Sequence, residues 1–372
     1  MRLNPSPPRS TSSDDNGTRF EVRRRTWPLD HVHGLMPLGD AAERGRTLGP
    51  GGARIAWLDT ETTGLAGGTG TYVFLIGVAT VDDGEFVLTQ YFMSHLAHEA
   101  DMLETISEDL RRYDALVTFN GTRFDLPLLQ TRFLLSRLRP AFDLDAHLDV
   151  MTLARRLWYR RLGGYSMGLL EQLVLGVERF IDVPGWQIPS LYVQYLHTGD
   201  LDALEPVFAH NASDVLSLLA LHGLAGDMLS RPDRIRVVVD WSGLARLLEV
   251  RQQIDAAVRC YQTALGDEHE TAARARTVTA LGRIYRRRGL VRDLLDLWEG
   301  ELTMPVLPRW LVLERLAMIW EWQFRNPTRA LAVTDDALAN LNGGDPRPRE
   351  RLLHRRERLL RRLGALAEIA SL

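Results

Sequence analysis

The chain has 372 residues, 45% of them hydrophobic, which is enough for two or three domains, each with its own core. Its 45 basic residues are all arginine and its 48 acids leave a net charge of −3; the one cysteine, Cys260, excludes an internal disulfide and a cysteine-based zinc site. The longest apolar runs, such as Tyr72 to Thr80, fall short of the ~20 residues that span a bilayer. Residues 1–17 lack the apolar stretch of a signal peptide, so a soluble, cytoplasmic chain with no membrane contact is expected.

Residues 1–18 are rich in Pro, Ser, Asp and Asn and are expected to be disordered. Residues 19–53 carry scattered apolar positions, among them Phe20, Trp27 and Met36, and read as an N-terminal extension packed on the main domain. That domain is expected over 54–228. Ile55 to Leu58, Tyr72 to Thr80 and Glu85 to Met93 read as strands separated by Gly-rich and Asp-Asp-Gly turns, which predicts an antiparallel meander. A helix over 97–111, a buried strand over 115–119, a helix over 126–137, a short strand near His147 and helices to about Leu224 follow. The predicted class is α/β: a mixed sheet, with a meander plus parallel strands, flanked by helices.

From about residue 235 the pattern changes to helical units beginning at Leu244, Leu281 and Leu316, offsets of 37 and 35 residues. These units, over 235–345, resemble tetratricopeptide repeats, with Ala257 and Tyr261 at the packing positions. An all-α repeat domain is expected, with residues 346–372 as a basic capping helix and a protein partner as a candidate ligand of the repeats. The basic charge lies in this part: from Arg231 onward 25 arginines face 19 acids, a balance of +6 against −9 before it. Local charge therefore permits a nucleic-acid ligand that the overall charge does not announce.

The chemistry-bearing residues are acids. Asp59 and Glu61 are two apart at a strand end and so point to one face of the sheet, where two carboxylates repel unless a cation joins them. Asp125 opens a predicted helix after the strand 115–119. His210 and Asp214 stand four apart in another, on one helical face. Four acids brought together from three elements suit two divalent ions about 4 Å apart, which orient a water, neutralise a scissile phosphate and stabilise the departing oxygen. Oxygen donors without thiols favour Mg²⁺ or Mn²⁺. His210 could then take the water's proton. Singly, each element also has a plainer reading as a turn, cap or packing residue.

The strings WLDTETTGLAGGTGTYVFLIGVA, FNGTRFD and HNASDVLSL resemble, in order, the three motifs of the DEDD 3′-to-5′ exonucleases. The stretch from Arg54 to Leu224, including GVERFIDVPGWQIPSLYVQYLHTGD, is similar to the YprB-like ribonuclease-H-like domain. This resemblance implies a metal-dependent exonuclease acting on single-stranded DNA or RNA. It makes Asp59, Glu61, Asp125 and Asp214 metal ligands and His210 the base. It also implies that backbone around Thr62, Thr63, Gly64 and Leu65 meets the terminal nucleotide. Asn120, beside Asp125, is a further candidate contact. One departure stands out: His210 precedes Asp214 by four positions, the spacing of the branch that uses Tyr, where the His branch uses five. An endonuclease of the same fold, and a scaffold that binds through its repeats, are the alternatives.

Gly164-Tyr165-Ser166-Met167-Gly168 matches a nucleophile elbow, but no strand precedes it and Ser166 reads as a helix N-cap. Without any lysine a Walker site is excluded, so glycines 64, 67, 68 and 70 read as a turn. Asp149 has two readings, a helix cap or a supporting acid near the metal site.

Overall fold

Ile55, Ala56, Trp57 and Leu58 are apolar without alternation, the mark of a strand covered on both faces, and all four are buried. The strand that they begin lies inside the sheet, paired on both edges, in a computed structural model of the chain. The structure describes residues 9–12, 20–49, 52–64, 68–143, 146–179, 183–267, 271–341 and 346–370. It divides into two units, Met1–Asp240 and Trp241–Leu372.

The first unit opens with strands β1 (Arg9–Ser12), β2 (Glu21–Pro28), β3 (Val32–His33) and β4 (Met36–Pro37), then helix α1 (Leu38–Arg46). The meander follows as β5 (Ile55–Thr62), β6 (Val73–Asp82) and β7 (Glu85–Phe92), then α2 (Glu99–Leu110), β8 (Ala115–Thr118), α3 (Asp125–Leu135) and β9 (His147–Asp149). Helices α4 (Val150–Leu157), α5 (Tyr159–Leu162), α6 (Met167–Leu170), α7 (Ile188–Thr198) and α8 (Glu205–Ser230) complete it, with a π-helical turn, Glu171–Leu175, after α6.

Among the described residues, one sheet runs in the order β1-β2-β7-β6-β5-β8-β9. The pairings from β1 to β5 are antiparallel, and β5-β8 and β8-β9 are parallel. This is the mixed sheet flanked by helices that the pattern predicts. Ala56 and Leu58 join a core with Leu103 and Ile106 of α2 and Leu129 and Phe133 of α3. On the other face lies α8. It is long and apolar enough to cross a membrane, but 83% of its apolar window is buried inside the protein, so its composition reflects a core helix.

Two expectations change. Within the segment expected to be disordered, Arg9–Ser12 pair with Arg23–Thr26 of β2, because ladder hydrogen bonds can hold a polar edge strand without apolar burial; the rest of 1–18 lies outside the described residues. The first strand of the meander also runs past Leu58 to Thr62, since β6 offers paired backbone as far as Val73. Asp59 and Glu61 are therefore held inside a ladder, opposite Gly77 and Leu75, with a bulge just after Glu61.

Among the described residues, the second unit holds three helical hairpins, α9 (Trp241–Val250) with α10 (Ile254–Asp267), α11 (Thr271–Arg288) with α12 (Val291–Thr303), and α13 (Arg309–Trp322) with α14 (Pro327–Ala339). The final helix α15 spans Pro346–Ala370. The hairpins fall where the offset pattern places repeats, and Ala257 and Tyr261 are buried. Part of the basic charge of α15 is already matched: Arg355 and Arg358 bond the buried Glu321, and Arg351 bonds Glu314.

Candidate active site

Asp59 lies on the face of β5 that α8 covers. Directly opposed residues of an antiparallel sheet share a face, so Asp59, Gly77 of β6 and Gln90 of β7 form a row across three strands. Asn211 of α8, fully buried, rests on this row. Its amide donates to the Asp59 carboxylate at 2.9 Å, and its Oδ1 accepts from Gln90 Nε2 at 2.9 Å. A Cβ at Gly77 would stand 2.2 Å from Asn211 Oδ1, so glycine is required there. The row fixes Asp59 from behind, and neither Asn211 nor Gln90 is identified from the sequence alone.

Asp125 is placed by a second set of contacts. The loop between β8 and α3 turns at Asn120, which adopts φ +67°, and at Gly121, where a Cβ would meet Thr118 Oγ1 at 2.0 Å. Asp149 braces this loop: its carboxylate accepts from the backbone N–H of Asn120 at 2.8 Å and of Thr122 at 3.3 Å, as well as from Met151 N–H at 3.0 Å. It is thus both the cap of α4 and the support of the loop that delivers Asp125, so its two readings combine. Thr60 Oγ1 donates to Asp125 Oδ1 at 2.5 Å.

Asp59, Glu61 and Asp125 line one open cleft of about 680 Å³. Thr62, Gly64 and Asn120 line it too, as do Arg123 and the exposed ring of Phe124, which the sequence reading passes over. Thr63 is committed elsewhere, its N–H donating to Tyr72 O and its Oγ1 accepting from Tyr72 N–H, both at 2.9 Å. Leu65 lies outside the described residues.

His210 and Asp214 are brought to the site by α8 but are not among the residues of the cleft wall. Asp214 bonds the guanidinium of Arg179. The same guanidinium donates to Glu171 at 2.6 Å and to His210 Nδ1 at 3.2 Å. Because arginine only donates, Nδ1 accepts, the ring proton of neutral His210 sits on Nε2, and Nε2 stands 3.5 Å from Asp214 Oδ2. Glu171 also accepts from Ser217 Oγ at 2.5 Å, and that hydroxyl bonds His33 Nε2 at 2.8 Å.

The electrostatics are those of crowded acids. Burial, then the carboxylates of Asp214, Glu61 and Asp125, push the Asp59 carboxyl well above its ordinary range, against the Asn211 hydrogen bond. Burial pushes Asp125 up to about 6, with Asp149 adding to it and the Thr60 hydroxyl opposing. Such a set of oxygen donors, short of positive charge, fits a hard divalent cation. As they stand, no three His, Cys, Asp or Glu side chains among the described residues are close enough to share one ion. Three of the four carboxylates lean on partners of their own: Asp59 on Asn211, Asp125 on Thr60 and Asp214 on Arg179.

The raised Asp125 group carries a signed pH effect. A carboxyl with a folded pKa above its unfolded value favours the folded state below the unfolded pKa, and that contribution is lost as pH rises through about 6. In chelator, Asp125→Asn is therefore expected to raise the melting temperature more near pH 7 than near pH 5. Comparison with the parent cancels His33 and His222, whose buried rings, held down to about 4 and about 3, titrate with the opposite sign. An equal gain at both pH values would show that Asp125 is not the strained acid.

Among known proteins, a family model of the ribonuclease H superfamily matches residues 56–225 of the chain. The chain is also 28% identical over 356 residues to the uncharacterized protein YprB of Bacillus subtilis (strain 168), covering 92% of this chain and 86% of that protein. These matches bear out the ribonuclease-H-like and YprB-like resemblance of the motifs. A family B DNA polymerase of the archaeon Pyrobaculum calidifontis aligns at 15% identity with a TM-score of 0.38, over 64% of this chain; the chain spans 30% of that polymerase. The superfamily supports a nuclease-type function, and its nucleases generally use divalent metals.

Proposed function

We propose that this ribonuclease H-superfamily domain is a DEDD-type 3′-to-5′ exonuclease that hydrolyses single-stranded DNA or RNA with Mg²⁺ or Mn²⁺. The observation that carries the reading is the convergence of Asp59, Glu61 and Asp125 on one open cleft, with Asp214 close enough to raise the pKa of Asp59. These four carboxylates would hold the divalent ions, whose charge would neutralise the scissile phosphate and make a water acidic enough to attack it.

The remaining work falls to the chain's own groups. The exposed Phe124 ring at the cleft offers a stacking surface for an unpaired base, and Arg123 beside it a phosphate contact. Thr62, Gly64 and Asn120 line the same cleft and would meet the terminal nucleotide in this reading. Asn211 and Asp149 hold Asp59 and the Asp125 loop in position. His210 is the proton acceptor of this reading, a role that requires one ring nitrogen to lose its present partner. The helical hairpins of the second unit are read as a surface for a protein partner.

A 5′-labelled single-stranded oligonucleotide incubated with the protein and Mn²⁺ is expected to shorten one nucleotide at a time from its 3′ end, and to resist when that end is blocked. Internal cuts that ignore the block would favour an endonuclease instead.

A further inference from the structure

Arg179 is the residue that sequence motifs do not assign and that the structure puts at the centre of the second half of the site. Its side chain is only 14% exposed. One guanidinium bonds Asp214, Glu171 and His210 at once, so a single cation engages both a proposed metal ligand and the proposed base.

The competing demands are explicit. A metal ion at Asp214 would share that carboxylate with Arg179, and a guanidinium and a divalent cation at one carboxylate repel each other. Nor can His210 take a proton on Nδ1 while that lone pair accepts from Arg179, and its other nitrogen already carries the ring hydrogen facing Asp214. Arg179 is in turn anchored behind by Glu171, which is 2% exposed and itself bonded by Ser217. This second anchor lets the guanidinium release Asp214 without losing every partner.

We propose that Arg179 is a positioning residue that pairs with Asp214 and His210 in the metal-free protein, and that a divalent cation binds by taking its place on Asp214. This rests on the metal-dependent reading of the same carboxylates.

The test is calorimetric titration of the full chain with Mn²⁺, with melting measured in chelator. Arg179→Gln is expected to bind Mn²⁺ about tenfold more tightly than the parent, because no internal cation must be displaced. Arg179→Lys is expected to fall between the two, since a compact ammonium cannot span three partners as the guanidinium does. It also keeps the charge should the glutamine protein fold poorly. Lower melting of either variant with unchanged or weaker Mn²⁺ affinity would mean that Arg179 only braces the fold, and would overturn the proposal. Binding of Mn²⁺ to neither parent nor variants would instead remove the metal-dependent reading on which it rests.

Discussion

Asp59→Asn is expected to slow phosphodiester hydrolysis at least about a thousandfold, the kinetic equivalent of about 4 kcal/mol of lost transition-state stabilisation. Asp59 is the acid on which the other three carboxylates act, so neutralising it removes a shared donor and not a peripheral one. The same change is expected to leave the metal-free protein at least as stable as its parent. An amide of the same shape keeps an acceptor for Asn211 and removes one of four mutually repelling carboxylates. Single-turnover hydrolysis of a labelled oligonucleotide with Mn²⁺, run beside thermal melts in chelator, separates the two effects. A variant as fast as the parent would move the chemistry away from this cleft. A slow variant that also melts far lower would mean that Asp59 serves the fold.

The second large effect is expected from Gly77→Ala, which inserts a methyl group where Asn211 Oδ1 lies 2.2 Å away. Asn211 cannot yield without leaving both Gln90 and Asp59, and it is enclosed on all sides. The cost is expected to be about 3 kcal/mol, from overpacking together with a displaced buried amide. Removing the obstruction tests the cause: in the Gly77→Ala, Asn211→Ala double variant the methyl group has room, so the double is expected to be more stable than the sum of the two losses by at least about 1 kcal/mol. Strict additivity in denaturant titrations would show that the two residues do not meet.

What the sequence discloses and what it hides follow from how far apart the cooperating residues are. Asp59 and Glu61 are legible because a strand's two-residue period decides their face locally, and Asp125 because it opens a helix after a buried strand. The repeat hairpins are legible from their offset alone. Gly77, Gln90 and Asn211 are hidden because their row exists only once β5, β6 and β7 are in register and α8 is laid across them. Arg179 is hidden for a related reason. It lies more than thirty positions from His210 and Asp214, in a chain whose Lys/Arg positions are all arginine, so that an arginine marks nothing by itself. Residues 9–12 are misjudged because a polar edge strand needs only a backbone partner, which composition does not reveal.

The pairing pattern around the carboxylates makes the account open to direct contradiction. Asn211 restrains Asp59, Thr60 restrains Asp125 and Arg179 restrains Asp214, so cation binding is expected to reorganise side chains while the sheet stays fixed. The measurement closest to the central claim is a crystal structure of the protein soaked with Mn²⁺, with the ion located by its anomalous signal. Mn²⁺ is expected among the oxygens of Asp59, Glu61, Asp125 and Asp214, with the Arg179 guanidinium withdrawn from Asp214 toward Glu171. A fully soaked crystal with no manganese between these carboxylates, and with Arg179 still bound to Asp214, would contradict the account.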